Sequence, residues 1–537
     1  MKMGGFGLRI LGAASLVIAV AVACGSIPDG GRPQADRSKD GGKSPGAFGD
    51  GGVADDGASG PLEDRDPVDC EEATRTKSYV GCDYWPTITP NGVGSTYSFA
   101  AVVANTGTNP ADVEVTGPNA FHAQLSVAPG QLGTIELPWV EALKSGYGNG
   151  GYYPNSVMVA GGAYHLVSSR PVIVYQFNPL QYRVDGGANS ATNDASLLLP
   201  STAMTGNYRV TGMHSVSDLS LKAAPIVTIT ATAPNTAVKV KLAPSASVVG
   251  ANGIPEASGG SILELTLAGA GDVVHLAPPA PGSNPPRVDF SGSVLQASRP
   301  VQVMTSMPCV NIPDNARFCD HIEESVFPAE TFGKEYVVTS PTGIHGDAVS
   351  QLVRIYGSQD GTKLTYTPSK PGSCPDHVDA GQVAECGIVD TSFVVSGSAE
   401  FAVRSFLLGA MYYRGGLNNP TLMGDPSETG HPAVEQFRKN YVFLAPSDYP
   451  RAWADVAAPE GTTLTLDGFP VTKAWEKIGS GYGVVRLDLT QTGSNGAHSL
   501  VASKPVGVQI IGYGDATSFQ YPAGLNLKLI ASPPVLK

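Results

Sequence analysis

A chain of 537 residues holds 65 glycines and 43 prolines, with only 15% charged residues, against about 25% in ordinary soluble domains. That mix disfavours long helical bundles and coiled coils, and it favours many short strands joined by turns. A formal net charge of −13 argues against sequence-independent nucleic-acid binding.

Residues 1–23 read as a secretory leader. Lys2 and Arg9 supply a positive flank, and 10–23 is a charge-free, mostly apolar run, short for a permanent membrane span. The run ends in Ala21-Val22-Ala23-Cys24, which looks like a bacterial lipobox with Ala21 where Leu is usual. In that pattern Cys24 takes a diacylglycerol and becomes the mature N-terminus. Acyl chains hold a protein at about 0.8 kcal/mol per buried CH₂. No Asp follows Cys24, so an outer-membrane address at the cell surface is expected. Residues 24–69 are rich in Gly, Pro and Asp and poor in large apolar side chains. Such a stretch does not offset its ordering entropy by burial. It reads as a tether spanning about 35–40 Å on average.

The remaining cysteines fall in neighbouring couples: Cys70 and Cys82, Cys309 and Cys319, Cys374 and Cys386. Local pairing is the simplest connectivity and suits an oxidising compartment. Each short loop so closed is worth about 3 kcal/mol in the chain-entropy view.

From residue 97 onward the pattern is strand-like. Alternating or β-branched runs occur at 97–104, 113–116, 164–176, 226–233, 237–242, 352–356 and 364–367, with turn signals at Asp360-Gly361 and Asp467-Gly468. Two phrases recur. One is an apolar strand, a small residue, a basic residue and Pro-Val, as in SSRPV, ASRPV and ASKPV at 168–172, 297–301 and 502–506. Its proline blocks a ladder donor and marks a strand start or a bulge beside a hairpin turn. The other phrase is an Asp, a Pro six to eight residues later, then a strand, beginning at Asp83, Asp194, Asp320, Asp425 and Asp515. The expectation is an all-β fold of about four tandem repeats, each about 100 residues and long enough for a β-sandwich. The alternative is a closed, propeller-like toroid.

The stretches YQFNPL (175–180), NDASLLLP (193–200), CDHIEE (319–324), EQFRKNY (435–441) and SFQYPAGL (518–525) together resemble the IgGFc-binding protein N-terminal domain family, including its bacterial surface-lipoprotein branch. The resemblance covers residues 70–533. It implies extracellular binding or adhesion rather than catalysis.

Asp320, His321, Glu323 and Glu324 are the densest polar cluster and have ligand types suited to Ca²⁺ or a transition metal. An Asp recurs at that register, however, which favours a solvated loop with Asp320 capping a turn. Asp194, Asp320, Asp425 and Asp515 are therefore read as turn residues, or as one ligand face if their loops gather at one end. No metal or other cofactor is expected. Tyr84, Trp85, Tyr147, Tyr152, Tyr153, Tyr412 and Tyr413 are candidate contact aromatics, with core packing as the plainer reading. There is no HExxH and no Gly-rich phosphate loop, so no enzymatic activity is expected. The expected function is a lipid-anchored, outer-membrane surface protein that binds a protein or glycan ligand. The alternatives are a structural envelope component and a glycan-active enzyme.

Overall fold

The computed structural model describes residues 66–536 apart from 147–150, 185–188, 218–220, 281–286, 317, 415–422 and 491–495. The leader 1–23, Cys24 and the tether as far as residue 65 lie outside the described residues. What is described is built from β-strands. The longest helix, Cys70–Thr76, has Asp69 capping its start through a 2.8 Å bond from the Glu72 amide. No helix among the described residues is long and apolar enough to cross a membrane.

Strands gather into sheet groups in chain order, except that Val157–Val159 pairs with Val273–Leu276 in the second group. In the first, Phe99–Ala104 and Ala111–Gly117 flank the long strand His165–Asn178. The first half of that strand pairs with Gly81–Tyr84 and Ala111–Gly117, and its second half with Phe99–Ala104 and Asp194–Leu198. It thus passes from one sheet layer to the next. Phe393–Leu407 and Ala497–Gly514 do the same in later groups. In the second group the corresponding strand is broken into Val294–Ala297 and Val301–Val310, so its layers are separate sheets. Inner strands such as Phe99–Ala104, Ile226–Ala231 and Gln351–Gly357 are buried along their whole length. Outer strands such as Ala111–Gly117 and Thr236–Lys241 alternate buried with exposed, as expected with one face in water.

The Arg/Lys-Pro-Val phrases mark the crossing points. At 169–171 and 503–505 the ladder bulges, at 298–300 the strand breaks, and in the third group, which carries no Pro-Val, the ladder bulges at 397–400. A tyrosine mends each gap. Tyr84 Oη donates to the Val172 carbonyl at 2.6 Å and accepts from the Gly81 amide at 2.9 Å. Tyr208 donates to Val301 at 2.6 Å, Tyr336 to Phe401 with acceptance from Gly333, and Tyr441 to Val506 with acceptance from Arg438. All four rings are buried. Tyr336→Phe orphans a buried amide and a carbonyl together, so it is expected to cost about 1–3 kcal/mol of stability by denaturant titration. A loss below about 0.5 kcal/mol would show that the bulge is hydrated instead.

The groups close on one another. Thr87 Oγ1 meets Thr230 Oγ1 at 2.9 Å between the first and second, and Tyr356 Oη donates to the Gly212 carbonyl at 2.7 Å between the second and third. Tyr513 Oη reaches the Thr342 carbonyl at 2.7 Å between the third and fourth. Tyr175 Oη reaches the Ala523 carbonyl at 2.8 Å, returning from the last group to the first. One apolar cluster spans that last seam, with Val102, Tyr175 and Leu197 packed among Phe443, Val508 and Tyr521.

Candidate functional site

Each group ends in a short strand that folds back on its long strand. These are Asp194–Leu198, Asp320–Ser325, Glu428–Gly430 and Thr517–Pro522. They occupy the segment between the recurring Asp and Pro, where the sequence pattern suggested a turn. All four are buried throughout and lie against one another at the centre. Each is paired to its own sheet on one side only, so four unpaired edges face a common axis, and their backbone donors need acceptors.

The recurring aspartates supply them. Asp194 Oδ2 accepts from the Glu323 amide at 3.0 Å and the Glu428 amide at 3.4 Å, and its Oδ1 from Ala195 at 2.9 Å and Gln520 at 3.4 Å. One carboxyl group thus reaches the backbone of all four axial strands. Asp320 Oδ1 accepts from the His321 amide at 2.7 Å, and its Oδ2 from Thr517 Oγ1 at 2.8 Å and the Ser518 amide at 3.2 Å. The expectation of solvated turns or an exposed ligand face is therefore corrected for three residues. Asp194 and Asp320 are 0% exposed and Asp425 is 1% exposed, and backbone amides of the axial strands rather than water satisfy the first two. Asp515 is exposed, with its amide donating to Tyr182 Oη at 2.8 Å.

His321, Glu323 and Glu324 are also buried, not in a solvated loop. Glu323 Oε1 accepts from Gln176 Nε2 at 2.9 Å, and its Oε2 from Asn178 Nδ2 at 3.1 Å and from Thr89 Oγ1. These bonds occupy the carboxylate with protein donors. Among the described residues no group of three or more His, Cys, Asp or Glu side chains is placed to hold a metal.

Acids outnumber bases at the axis, and burial raises Asp194, Asp320, Glu324 and Asp425 well above the usual carboxyl range. Arg404, itself 2% exposed, approaches Glu428 Oε2 at 3.1 Å. Burial outweighs that contact and pushes Glu428 up to about 7. Unfolded, the group titrates near 4.3. The folded state therefore holds this proton more tightly. Its stabilising effect is complete below about pH 4.3 and is lost as pH rises to about 7, a loss of roughly 2–4 kcal/mol. His275 and His431, lowered to about 4 by burial, act in the other sense. Their contribution is present above about pH 6.5 and is lost on acidification. Measured against Glu428→Gln, the stability of the unsubstituted chain is expected to decline by that amount between about pH 4.5 and 7.5. A pH-independent difference would refute the assignment.

At one end of the axis the segments leading into the four strands converge on a cleft of about 470 Å³. Thr192, Cys319, Asp425 and Ala516 line it, one from each approach, with Tyr152 and Phe318 among the side walls. The Cys309–Cys319 disulfide forms part of the wall. The other bridges join Cys70 to Cys82 and Cys374 to Cys386. Asp425 Oδ1 accepts from the Ala410 amide at 3.1 Å, while its Oδ2 has no hydrogen-bond partner among the described residues. Phe318 is 40% exposed on a left-handed backbone of φ 67°.

Of the candidate aromatics, Tyr84, Trp85 and Tyr153 are buried, and Tyr147 lies outside the described residues. Tyr412 is exposed, and Tyr413 donates to the Ser350 carbonyl at 2.6 Å. Among the described members of that set, only Tyr152 lines the cleft. Phe318 was not singled out by sequence, although its place beside Cys319 within a short disulfide loop is a usable signal.

Comparison with curated proteins and with solved structures finds no match. The family described as IgGFc binding protein matches residues 194–512. The match opens on Asp194, the carboxyl at the centre of the axial strands, and takes in the complete strands Asp320–Ser325 and Glu428–Gly430. With more than half of its length matched, this chain belongs to the IgGFc binding protein family.

Proposed function

We propose that this chain is a non-enzymatic surface binding protein, held on the outer membrane by acylated Cys24 and presenting residues 70–533 to a protein or glycan ligand. Family membership across residues 194–512 carries the reading, since the family is described by what it binds. The disulfides suit an oxidising exterior, and the axial cleft offers a concave site. Asp425 is the one carboxyl among the described lining residues, whereas glycoside hydrolysis ordinarily uses two across the scissile bond. Residues 1–23 are the leader and 24–69 the tether in this reading.

The test immobilises the full chain and passes immunoglobulin Fc, mucin-type glycan and purified envelope proteins over it. Saturable retention of one of them without conversion is the expected result. Retention of none by a folded protein sinks the binding reading and leaves the structural one. Released fragments point to an enzyme. For the anchor, Cys24→Ala is expected to lose acyl labelling and leave the membrane fraction. Retention of the variant on the membrane rejects the anchor.

A further inference from the structure

Three features meet at the axial cleft. First, Asp425 is 1% exposed, spends one oxygen on the Ala410 amide and leaves the other without a partner among the described residues, although it lines an open cavity. A buried polar atom left this way is costly, and a ligand hydroxyl relieves that cost. Second, Phe318 shows its ring at the cleft wall from a backbone conformation uncommon for a bulky side chain. The disulfide of its neighbour Cys319 tethers that segment, and strain of this kind gathers at ligand sites. Third, the described lining contains no Lys or Arg.

We propose that this cleft is the recognition site of the binding function put forward above, on which the inference rests, and that it takes one sugar residue of a glycan. The sugar's hydroxyls hydrogen-bond to Asp425 and its apolar ring face lies on Phe318. The alternatives fit less well. A wholly apolar ligand leaves Asp425 unpartnered, and an anion finds no cation among the described lining residues. A neutral polyol with one apolar face satisfies both walls, and the cavity volume falls within the range of small-ligand sites. Burial raises the Asp425 carboxyl well above the usual carboxyl range, which favours the protonated form that both donates and accepts.

The experiment titrates the full chain by calorimetry with glucose, galactose, mannose, N-acetylglucosamine and N-acetylgalactosamine, each to about 50 mM, which saturates even a millimolar site. Saturable binding of at least one is expected. Phe318→Ala should weaken it at least about tenfold without changing the unfolding temperature, since the ring is partly exposed. Asp425→Asn keeps an acceptor and a donor and should bind within about threefold, while Asp425→Ala loses at least about tenfold. If Asp425→Ala does not fold, Phe318→Ala decides alone. The proposal is overturned if no sugar binds the folded chain, or if one binds and Phe318→Ala is indifferent. Retention of Fc or an envelope protein under either outcome removes the sugar cleft and leaves the binding function standing. Failure of the full ligand panel removes both.

Discussion

Asp194→Ala is expected to remove most of the stability of the folded chain. The substitution leaves the amides of Ala195, Glu323, Glu428 and Gln520 without their acceptor at a fully buried point. Each orphaned donor costs about 1–3 kcal/mol. Two of the contacts are long, at 3.4 Å, so the sum is placed at about 4–8 kcal/mol. Whole proteins are stable by only about 5–15 kcal/mol. Asp194→Asn keeps one carbonyl oxygen and should lose about half as much. Calorimetry reads this directly. An Asp194→Ala protein that melts within about 2 °C of the parent would show that the strands meet without that carboxyl.

Arg404→Met is the second large effect expected. The guanidinium donates to Thr305 Oγ1 at 3.1 Å and to the Ser325 carbonyl at 2.7 Å, besides facing Glu428. Removing it leaves Glu428, already raised by burial, with no countercharge from that side, and Glu324 loses the same favourable field. Breaking a buried pair on one side costs about 3–5 kcal/mol. The double variant Arg404→Met with Glu428→Leu should recover at least about half of that, since both charges then leave the interior together. Equal stability of the single and double variants would mean that the pair is uncoupled.

The all-β class was legible because outer strands such as Thr236–Lys241 alternate in sequence as they do in burial. The Pro-Val phrases were legible as interruptions. Their role in carrying a strand between layers was not, because it depends on which partners lie on either side. The axial strands escaped detection for a related reason. Segments such as Asp320–Ser325 carry the composition of a surface loop, and local pattern equates polar with wet. Here the polar side chains complete the ladders of strands more than a hundred residues away, as Asp194 does for Glu323. The tyrosines at 84, 208, 336 and 441 stood inside the recurring phrases, three residues after Gly81, Thr205, Gly333 and Arg438. Attention to Asp and Pro alone passed over them. At the cleft, Asp425 and Tyr152 were among the expected residues, but Asp425 contributes one buried oxygen rather than an exposed face.

The bond from the Gln520 amide to Asp194 spans 326 positions of chain. A ribosome releases Asp194 long before Gln520 exists, and at about 5–20 residues per second the wait lasts roughly 15–65 s. Of the four amides that Asp194 accepts from, those of Ala195, Glu323 and Glu428 emerge first, and that of Gln520 comes last. The centre of the molecule is therefore its last part to be finished. A nascent chain halted ahead of residue 517 lacks the strand Thr517–Pro522 and carries an open seam.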